Sequence, residues 1–121
     1  MASLLTIGEV SERSGVAPSA LRFYESRGLI SSVRTTGNQR RFRRDVLRRV
    51  AIIQAANQVG LSLQEIGGCL AVLPVGRMAR AADWVEVAER LRPLVDRRLA
   101  DIEELRRELG GASPGGGVAQ R

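Results

Sequence analysis

Helix start and stop signals divide the amino-terminal part of the chain into two short helices. These signals restrict the possible fold more than any other feature of the sequence. Thr6 and Glu9 form a T-x-x-E capping box, and Gly15 has the backbone freedom that ends a helix. Pro18 suits the first position of a second helix, which Gly28 would terminate. Two short helices joined by a tight turn predict a helix–turn–helix.

The segment after this helix pair predicts a β-hairpin. Val33 and Arg34 lead into the turn-forming residues 35–39, and the arginine-rich residues 40–43 return from the tip. Phe42 is the apolar residue of the returning strand, and we expect it to fix the hairpin to the core. The hairpin is therefore predicted to be a wing beside the helix pair.

Helical spacing returns after the predicted wing. Asp45 is expected to cap a third helix, which ends at Gly60, and Ser62 with Glu65 forms a second capping box at the start of a fourth helix. The order of these elements predicts a mainly α protein with a winged helix–turn–helix domain over residues 4–75.

A heptad pattern over residues 81–109 predicts a long helix, with Arg98 as the single polar break in its apolar stripe. Such a helix either folds back on its own domain or pairs with a second copy. We favour pairing, because the stripe is longer than the core of so small a domain. Residues 110–121 are rich in glycine and predict a disordered tail. The predicted dimerisation residues are Trp84, Ala88, Leu91, Val95, Ile102, Leu105 and Leu109.

Positive charge is concentrated in the first half of the chain. Residues 1–60 hold ten arginines against four acids and supply the whole formal net charge of +6, whereas the remaining residues are balanced. Charge gathered on a predicted helix–turn–helix and wing indicates contact with a polyanion. All the basic residues are arginines, which bind phosphate or guanine in a two-pronged way.

Composition argues against several other classes of protein. The chain has no His and one Cys, so a His-based catalytic triad, a Cys/His zinc site and an internal disulfide are excluded, and no enzyme is expected. Cys69 is interpreted as a small buried core residue. The whole chain has four aromatic residues, which are too few for the stacking surface of a single-stranded RNA reader.

The sequence gives no sign of membrane insertion or export. No apolar run approaches the ~18 residues of a membrane span, and the amino terminus lacks the pattern of a secretory signal. A cytoplasmic, nucleoid-associated bacterial protein is expected.

Several long motifs resemble the MerR family of transcription regulators, and in particular its redox-sensing SoxR subgroup. They are Leu-Thr-Ile-Gly-Glu-Val at residues 5–10, Ser-Ala-Leu-Arg-Phe-Tyr-Glu at 19–25, Gly-Asn-Gln-Arg-Arg-Phe at 37–42 and Asp-Val-Leu-Arg-Arg at 45–49. The likeness extends over about residues 4–111. It implies a homodimer held by an antiparallel coiled coil, with one reader at each end. Such a dimer would bind a palindromic promoter element and would bend and untwist it for RNA polymerase.

The resemblance also implies roles for individual residues. Ser19 and Arg22 would enter the major groove, where Arg22 could read a guanine edge. Tyr24 would contact a phosphate, unless it is only a core aromatic. Arg48 and Arg49 are weaker candidates, since both could be merely solvated. The predicted wing contacts to the DNA backbone are Arg34, Asn38, Gln39, Arg40 and Arg44.

One departure from the SoxR pattern affects the predicted cofactor. SoxR-type regulators hold a [2Fe–2S] cluster through cysteines that follow the coiled coil. Residues 112–117 of this chain read Ala-Ser-Pro-Gly-Gly-Gly, so we expect no cluster and no metal. The chain would then regulate by occupancy or through an unknown effector. Alternatively, it would be a decoy or architectural partner of a complete, cluster-bearing relative.

Overall fold

The structure, a computed structural model, describes residues 4–111. Most of this part of the chain is helical, and three short strands form one small sheet. The elements are β1 (Leu4–Leu5), α1 (Ile7–Ser14), α2 (Pro18–Ser26), β2 (Val33–Arg34), β3 (Arg40–Arg43), α3 (Val46–Gln58), α4 (Leu63–Leu70) and α5 (Ala81–Gly111).

Both predicted capping boxes are confirmed. At the start of α1, the Thr6 hydroxyl accepts from the Glu9 amide at 3.1 Å, and the Glu9 carboxylate accepts from the Thr6 amide at 2.8 Å. Ser62 and Glu65 repeat this arrangement at the start of α4, at 3.0 and 2.9 Å. Two of the four backbone donors at each helix start are therefore satisfied locally. Pro18 is the first residue of α2, as its fixed φ favours.

The predicted wing is present and gains a strand that the sequence did not indicate. β2 and β3 pair antiparallel, with Val33 opposite Arg41 and Arg34 opposite Arg40. β1 pairs with the other edge of β3, where Leu5 lies opposite Phe42. Two residues are too few to show an alternating pattern, so β1 had no sequence signal.

The predicted cap at Asp45 is wrong. Asp45 has helical backbone angles and its side chain makes no capping hydrogen bond to α3. Its carboxylate instead accepts from the backbone amide of Ala79 at 2.9 Å. The side chain thus ties the segment before α5 to the start of α3, which is a long-range contact that local sequence does not reveal.

One hydrophobic cluster joins the winged helix–turn–helix to the start of the long helix. Leu21 of α2, Phe42 of β3 and Ile53 of α3 are almost fully buried in it, and Trp84 and Val87 of α5 belong to the same cluster. The core therefore extends beyond the boundary predicted at residue 75. Cys69 is buried, as predicted.

The long helix is confirmed, but it ends later than predicted. α5 includes Gly110 and Gly111, which had been assigned to a disordered tail. The remainder of that predicted tail, residues 112–121, lies outside the described residues. Across residues 4–111, no helix combines the length and apolar character that a membrane span needs.

Candidate nucleic-acid interface

The outer face of α2 consists of Ser19, Arg22, Phe23 and Ser26, which are all exposed. These positions follow the i, i+3, i+4, i+7 spacing that places side chains on one side of a helix. Leu21 lies on the opposite side and is fully buried in the core. Burial of Leu21 therefore holds α2 with Ser19 and Arg22, the two predicted major-groove residues, turned outward together.

Arg22 is the outward-facing cation of this face. Within the described part of the chain, its guanidinium makes no hydrogen bond, ion pair or ring contact. All five of its N–H donors remain available to an acceptor such as a guanine edge. Base contact by Arg22 remains a prediction.

Sequence reasoning did not assign Phe23 to the interface, although the helical spacing from Ser19 could have done so. Its ring is 47 % exposed, and the guanidinium of Arg27 lies 5.5 Å from the ring centroid. An exposed apolar ring beside arginines is suited to contact a thymine methyl group.

Tyr24 lies at the edge of the outer face of α2. It is half-buried and packs against the core, with its ring centroid 6.5 Å from that of Phe23. The ring therefore has a structural role, and the predicted phosphate contact of its hydroxyl stays a prediction.

The tip of the wing is held by its own hydrogen bonds. Asn38 adopts a left-handed φ of 61°, which asparagine tolerates better than most residues. Its amide donates to the Thr35 carbonyl at 2.8 Å, and its carbonyl accepts from Arg34 at 3.1 Å. Arg41 donates to the side chain of Gln39 at 2.6 Å. The predicted backbone-contact residues Arg34, Asn38 and Gln39 therefore lie together and are exposed.

Arg40 is the first residue of the returning strand β3, and Arg44 directly follows that strand. Arg40 donates to the carboxylate of Glu25 on α2 at 3.3 Å, and its side chain is 46 % exposed. Arg44 is exposed in the turn before α3. The structure thus brings all the predicted wing residues to the exposed surface of β2, β3 and the adjoining turns.

The two weaker candidates on α3 have roles in the fold. The Arg48 guanidinium lies 4.7 Å from the ring centroid of Trp84. Arg49 is half-buried and donates to the Leu29 carbonyl at 3.0 Å, and burial lowers the pKa of its guanidinium. Both arginines therefore hold elements together, and a DNA contact by either one stays a prediction.

The predicted dimer seam on α5 divides into two parts. The assignment of Trp84 to the dimer seam is wrong, because Trp84 is buried in the core of its own chain. Leu91 also packs partly against that core, and Ala88 is half-buried. Leu94 also packs partly against the core, and beyond it the large apolar side chains are exposed. We call them the free stripe: Val95, Leu99, Ile102, Leu105 and Leu109.

The residues of this chain do not fit a [2Fe–2S] cluster. Such a cluster needs several cysteine thiolates, and the sequence has a single cysteine. Burial raises the pKa of the Cys69 thiol, which disfavours the thiolate that binds a metal. Residues 4–111 contain no group of three or more His, Cys, Asp or Glu placed to hold a metal ion.

Comparison with protein families identifies the family of this chain. A model of the MerR HTH family regulatory protein matches residues 5–72, and a model described as MerR, DNA binding matches residues 47–112. The chain belongs to the MerR family. It is therefore a DNA-binding transcription regulator rather than an enzyme, and its MerR helix–turn–helix and wing are the elements described above.

Individual MerR relatives extend the comparison. A SoxR homolog from Chromobacterium violaceum, a transcriptional activator, is 49% identical over 107 residues, covering 88% of this chain and 72% of that protein. The regulator HmrR from Rhizobium leguminosarum is 31% identical over 105 residues, covering 87% of this chain and 81% of HmrR. The regulator ZntR from Escherichia coli K12 is 31% identical over 106 residues, covering 85% of this chain and 74% of ZntR.

Solved MerR structures share the architecture. A MerR family transcriptional regulator from Listeria monocytogenes superposes with a TM-score of 0.58 at 30% identity, covering 85% of this chain and 79% of that one. HiNmlR, a MerR family regulator that lacks the sensor domain and was solved bound to promoter DNA, gives a TM-score of 0.58 at 24% identity. That alignment covers 89% of this chain and 80% of HiNmlR, and it supports the fold alone.

Proposed function

We propose that this MerR-family protein binds a palindromic promoter element as a homodimer and regulates transcription without an iron–sulfur cluster. In this proposal the protein acts in the cytoplasm, on chromosomal DNA. Each half of the palindrome meets one α2 in the major groove and one wing on the neighbouring phosphates. The likeness to a SoxR homolog suggests that the target genes belong to an oxidative or redox-stress response.

The observation that carries the proposal is the shared exposure of the outer face of α2 and the wing. Arg22 lies on the first surface, and Arg34 and Arg40 lie on the second. A helix of this kind reads base edges, whereas a basic wing neutralises phosphates and fixes the register. The combination is therefore suited to duplex DNA of defined sequence rather than to polyanions in general.

Dimer formation is supported by the free stripe of α5. Its five residues range from 39% to 63% exposed. Val95, Ile102, Leu105 and Leu109 follow the heptad spacing of a coiled coil, and Leu99 lies beside them. Exposed apolar side chains in such a row gain free energy when a second copy covers them. An antiparallel pairing would place one reader at each end, so the spacing of half-sites would be set by α5.

Regulation would follow from deformation of the promoter. Two readers held at a fixed separation can bind an overlong spacer only if the DNA bends or untwists, and the contacts offset that deformation energy. RNA polymerase would respond to the altered DNA. Since this proposal includes no cluster, occupancy of the site or a separate effector would control the response.

The decisive experiment is an electrophoretic mobility shift with salt titration on a palindromic SoxR-type operator, comparing wild-type protein with Arg22→Ala and Arg40→Ala. We expect tight, salt-sensitive binding by colourless protein, whether it is purified with or without oxygen. Arg22→Ala should lose discrimination between operator and scrambled DNA, which is about 1–3 kcal/mol for a bidentate guanine contact. Arg40→Ala should weaken binding to both and lower the salt slope by about 1.

Two results would contradict parts of this proposal. Equal binding of the wild type to operator and scrambled DNA would exclude sequence-specific regulation through this operator. Binding without any effect on transcription by RNA polymerase would favour the alternative of a cluster-less decoy, which acts by competing with a complete relative.

A further inference from the structure

A single acidic side chain connects α2 to both strands of the wing. The Glu25 carboxylate accepts from the Ser32 hydroxyl at 2.7 Å and from the Arg40 guanidinium at 3.3 Å. Ser32 directly precedes β2, and Arg40 is the first residue of β3. Glu25 is thus bonded to the base of one strand and the start of the other, with its side chain only 20% exposed.

The wing needs an anchor of this kind because its own pairing is short. β2 and β3 share two residue pairs, and β1 pairs only with Phe42 and Arg43 of β3. The part of the wing towards the tip is therefore two-stranded, and such a hairpin by itself is marginally stable in water. Phe42 fixes the far end of β3 in the core, but it lies beyond the pairs that lead to the tip. Between Phe42 and the tip, Glu25 supplies a direct bond from the wing to α2.

Glu25 also orients the arginine that it binds. The Nη1 group of Arg40 donates a hydrogen bond to the carboxylate, while the Arg40 side chain remains 46% exposed. A guanidinium has five N–H donors in a fixed plane, so fixing one direction leaves the others aimed at solvent. The anchored Arg40 is therefore preorganised to meet a phosphate beside the groove that α2 would enter.

We propose that Glu25 is a positioning residue for DNA binding, which sets the wing and its arginines relative to α2. The inference rests on the proposed function, since it assigns to Glu25 a part in the same interface. It runs against simple electrostatics, because a carboxylate close to DNA repels phosphates. Removing a mere surface acid would strengthen DNA binding, whereas removing an anchor weakens it.

The test compares three variants that each remove one negative charge from the full chain. Glu25→Ala removes both hydrogen bonds. Glu25→Gln keeps one acceptor oxygen, which can serve Arg40, and its amide NH2 can donate to the Ser32 hydroxyl oxygen instead of accepting from it. Glu12→Ala is the matched control, because Glu12 is exposed on α1 and makes no hydrogen bond or ion pair within residues 4–111. Circular dichroism and thermal unfolding establish that each variant is folded.

Binding to duplex DNA of mixed sequence, followed as a function of salt, gives the first readout. We expect Glu12→Ala to bind slightly more tightly than wild type. Glu25→Ala should bind several-fold more weakly, with a salt slope lower by about 1, and Glu25→Gln should recover much of the loss. Binding by Glu25→Ala that equals or exceeds that of Glu12→Ala would overturn the proposal.

Amide hydrogen exchange of the free proteins gives a second readout that does not depend on DNA. The amides of Thr35 and Asn38, which are bonded within the wing tip, should exchange faster in Glu25→Ala than in Glu12→Ala. Equal exchange in the two variants would overturn the anchor. If wild-type protein fails to bind any duplex, the proposed function fails, and the exchange comparison still decides the role of Glu25.

Discussion

At the scale of single residues, Arg98 and Gly60 explain a position where the heptad pattern breaks. Arg98 donates to the Gly60 carbonyl at 2.8 Å, which joins α5 to the turn between α3 and α4. Gly60 has a φ of +101°, and a Cβ placed there would lie 3.2 Å from Arg98 Cζ. The buried Nε of Arg98 has no partner within residues 4–111. The polar residue in the apolar stripe therefore makes a contact within its own chain.

Gly60→Ala is expected to destabilise the protein by about 1–3 kcal/mol, because alanine is strained at this φ and crowds Arg98. Gly68→Ala is the matched control. Gly68 lies within α4 and has open space around it, so alanine should be neutral or stabilising by up to about 1 kcal/mol. Chemical denaturation measures both. If both substitutions changed the free energy of unfolding equally, the contact between Gly60 and Arg98 could not be the cause of the destabilisation.

At the scale of elements, α1, α4 and α5 each have a hydrogen-bonded carboxylate with a lowered pKa in the first turn. A backbone hydrogen bond from Thr6 lowers the pKa of Glu9 below its usual 4.5, and a backbone hydrogen bond from Ser62 does the same for Glu65. Asp83 accepts from the Arg80 amide at 2.7 Å, and this bond lowers its pKa as well. Carboxylates at helix starts also interact favourably with the helix dipole.

These lowered pKa values fix the direction of a pH effect on stability. A carboxyl group whose pKa is lower in the folded state stabilises the fold above its unfolded pKa and loses that contribution as the pH falls through its folded pKa. We expect the unfolding temperature to be level from neutral pH down to about the usual Glu pKa of 4.5 and to fall below it. Replacing Glu9 and Glu65 with glutamine should flatten the decline, since glutamine serves in a capping box without titrating.

Thermal unfolding between pH 3 and 7 in the same buffer series checks this expectation. An equally steep decline in the double glutamine variant would show that other carboxyl groups control acid stability.

At the scale of the whole molecule, α5 performs two tasks along its length. Its first turns complete the core through Trp84 and Val87, and its later part presents the free stripe. The expectation of folding back is therefore met by the first turns of α5, and pairing with another copy through the free stripe stays a prediction. Because α5 has 31 residues, it extends about 45 Å, well beyond the core that its first turns complete.

Ile102→Asp is expected to produce a folded monomer that binds operator DNA weakly, because a charge in the free stripe opposes burial against a second copy. Leu91 would be a poorer choice, since it packs partly on its own core and its replacement would also disturb the fold. Ala100→Asp is the control, because Ala100 is exposed on another side of α5. Light scattering gives the mass of each variant, and a dimeric Ile102→Asp protein would rule out this seam.

The sequence alone determined most elements of this fold, because their signals are local. A capping box such as Thr6 with Glu9 uses residues within one turn, and the position of Pro18 follows from its fixed φ. The family, the wing and the long helix could all be recognised from ordered local motifs.

Tertiary structure decided how these elements share their side chains. Asp45 had the right residue type and position for a cap, yet it binds Ala79; Trp84 fitted the heptad, yet it completes the core. An intrachain and an interchain contact would need the same spacing, so periodicity cannot separate them. The bond between Glu25 and Arg40 joins residues fifteen positions apart. Only the packing of α2 against the wing brings these charges together, because ion pairing depends on distance in space rather than in sequence.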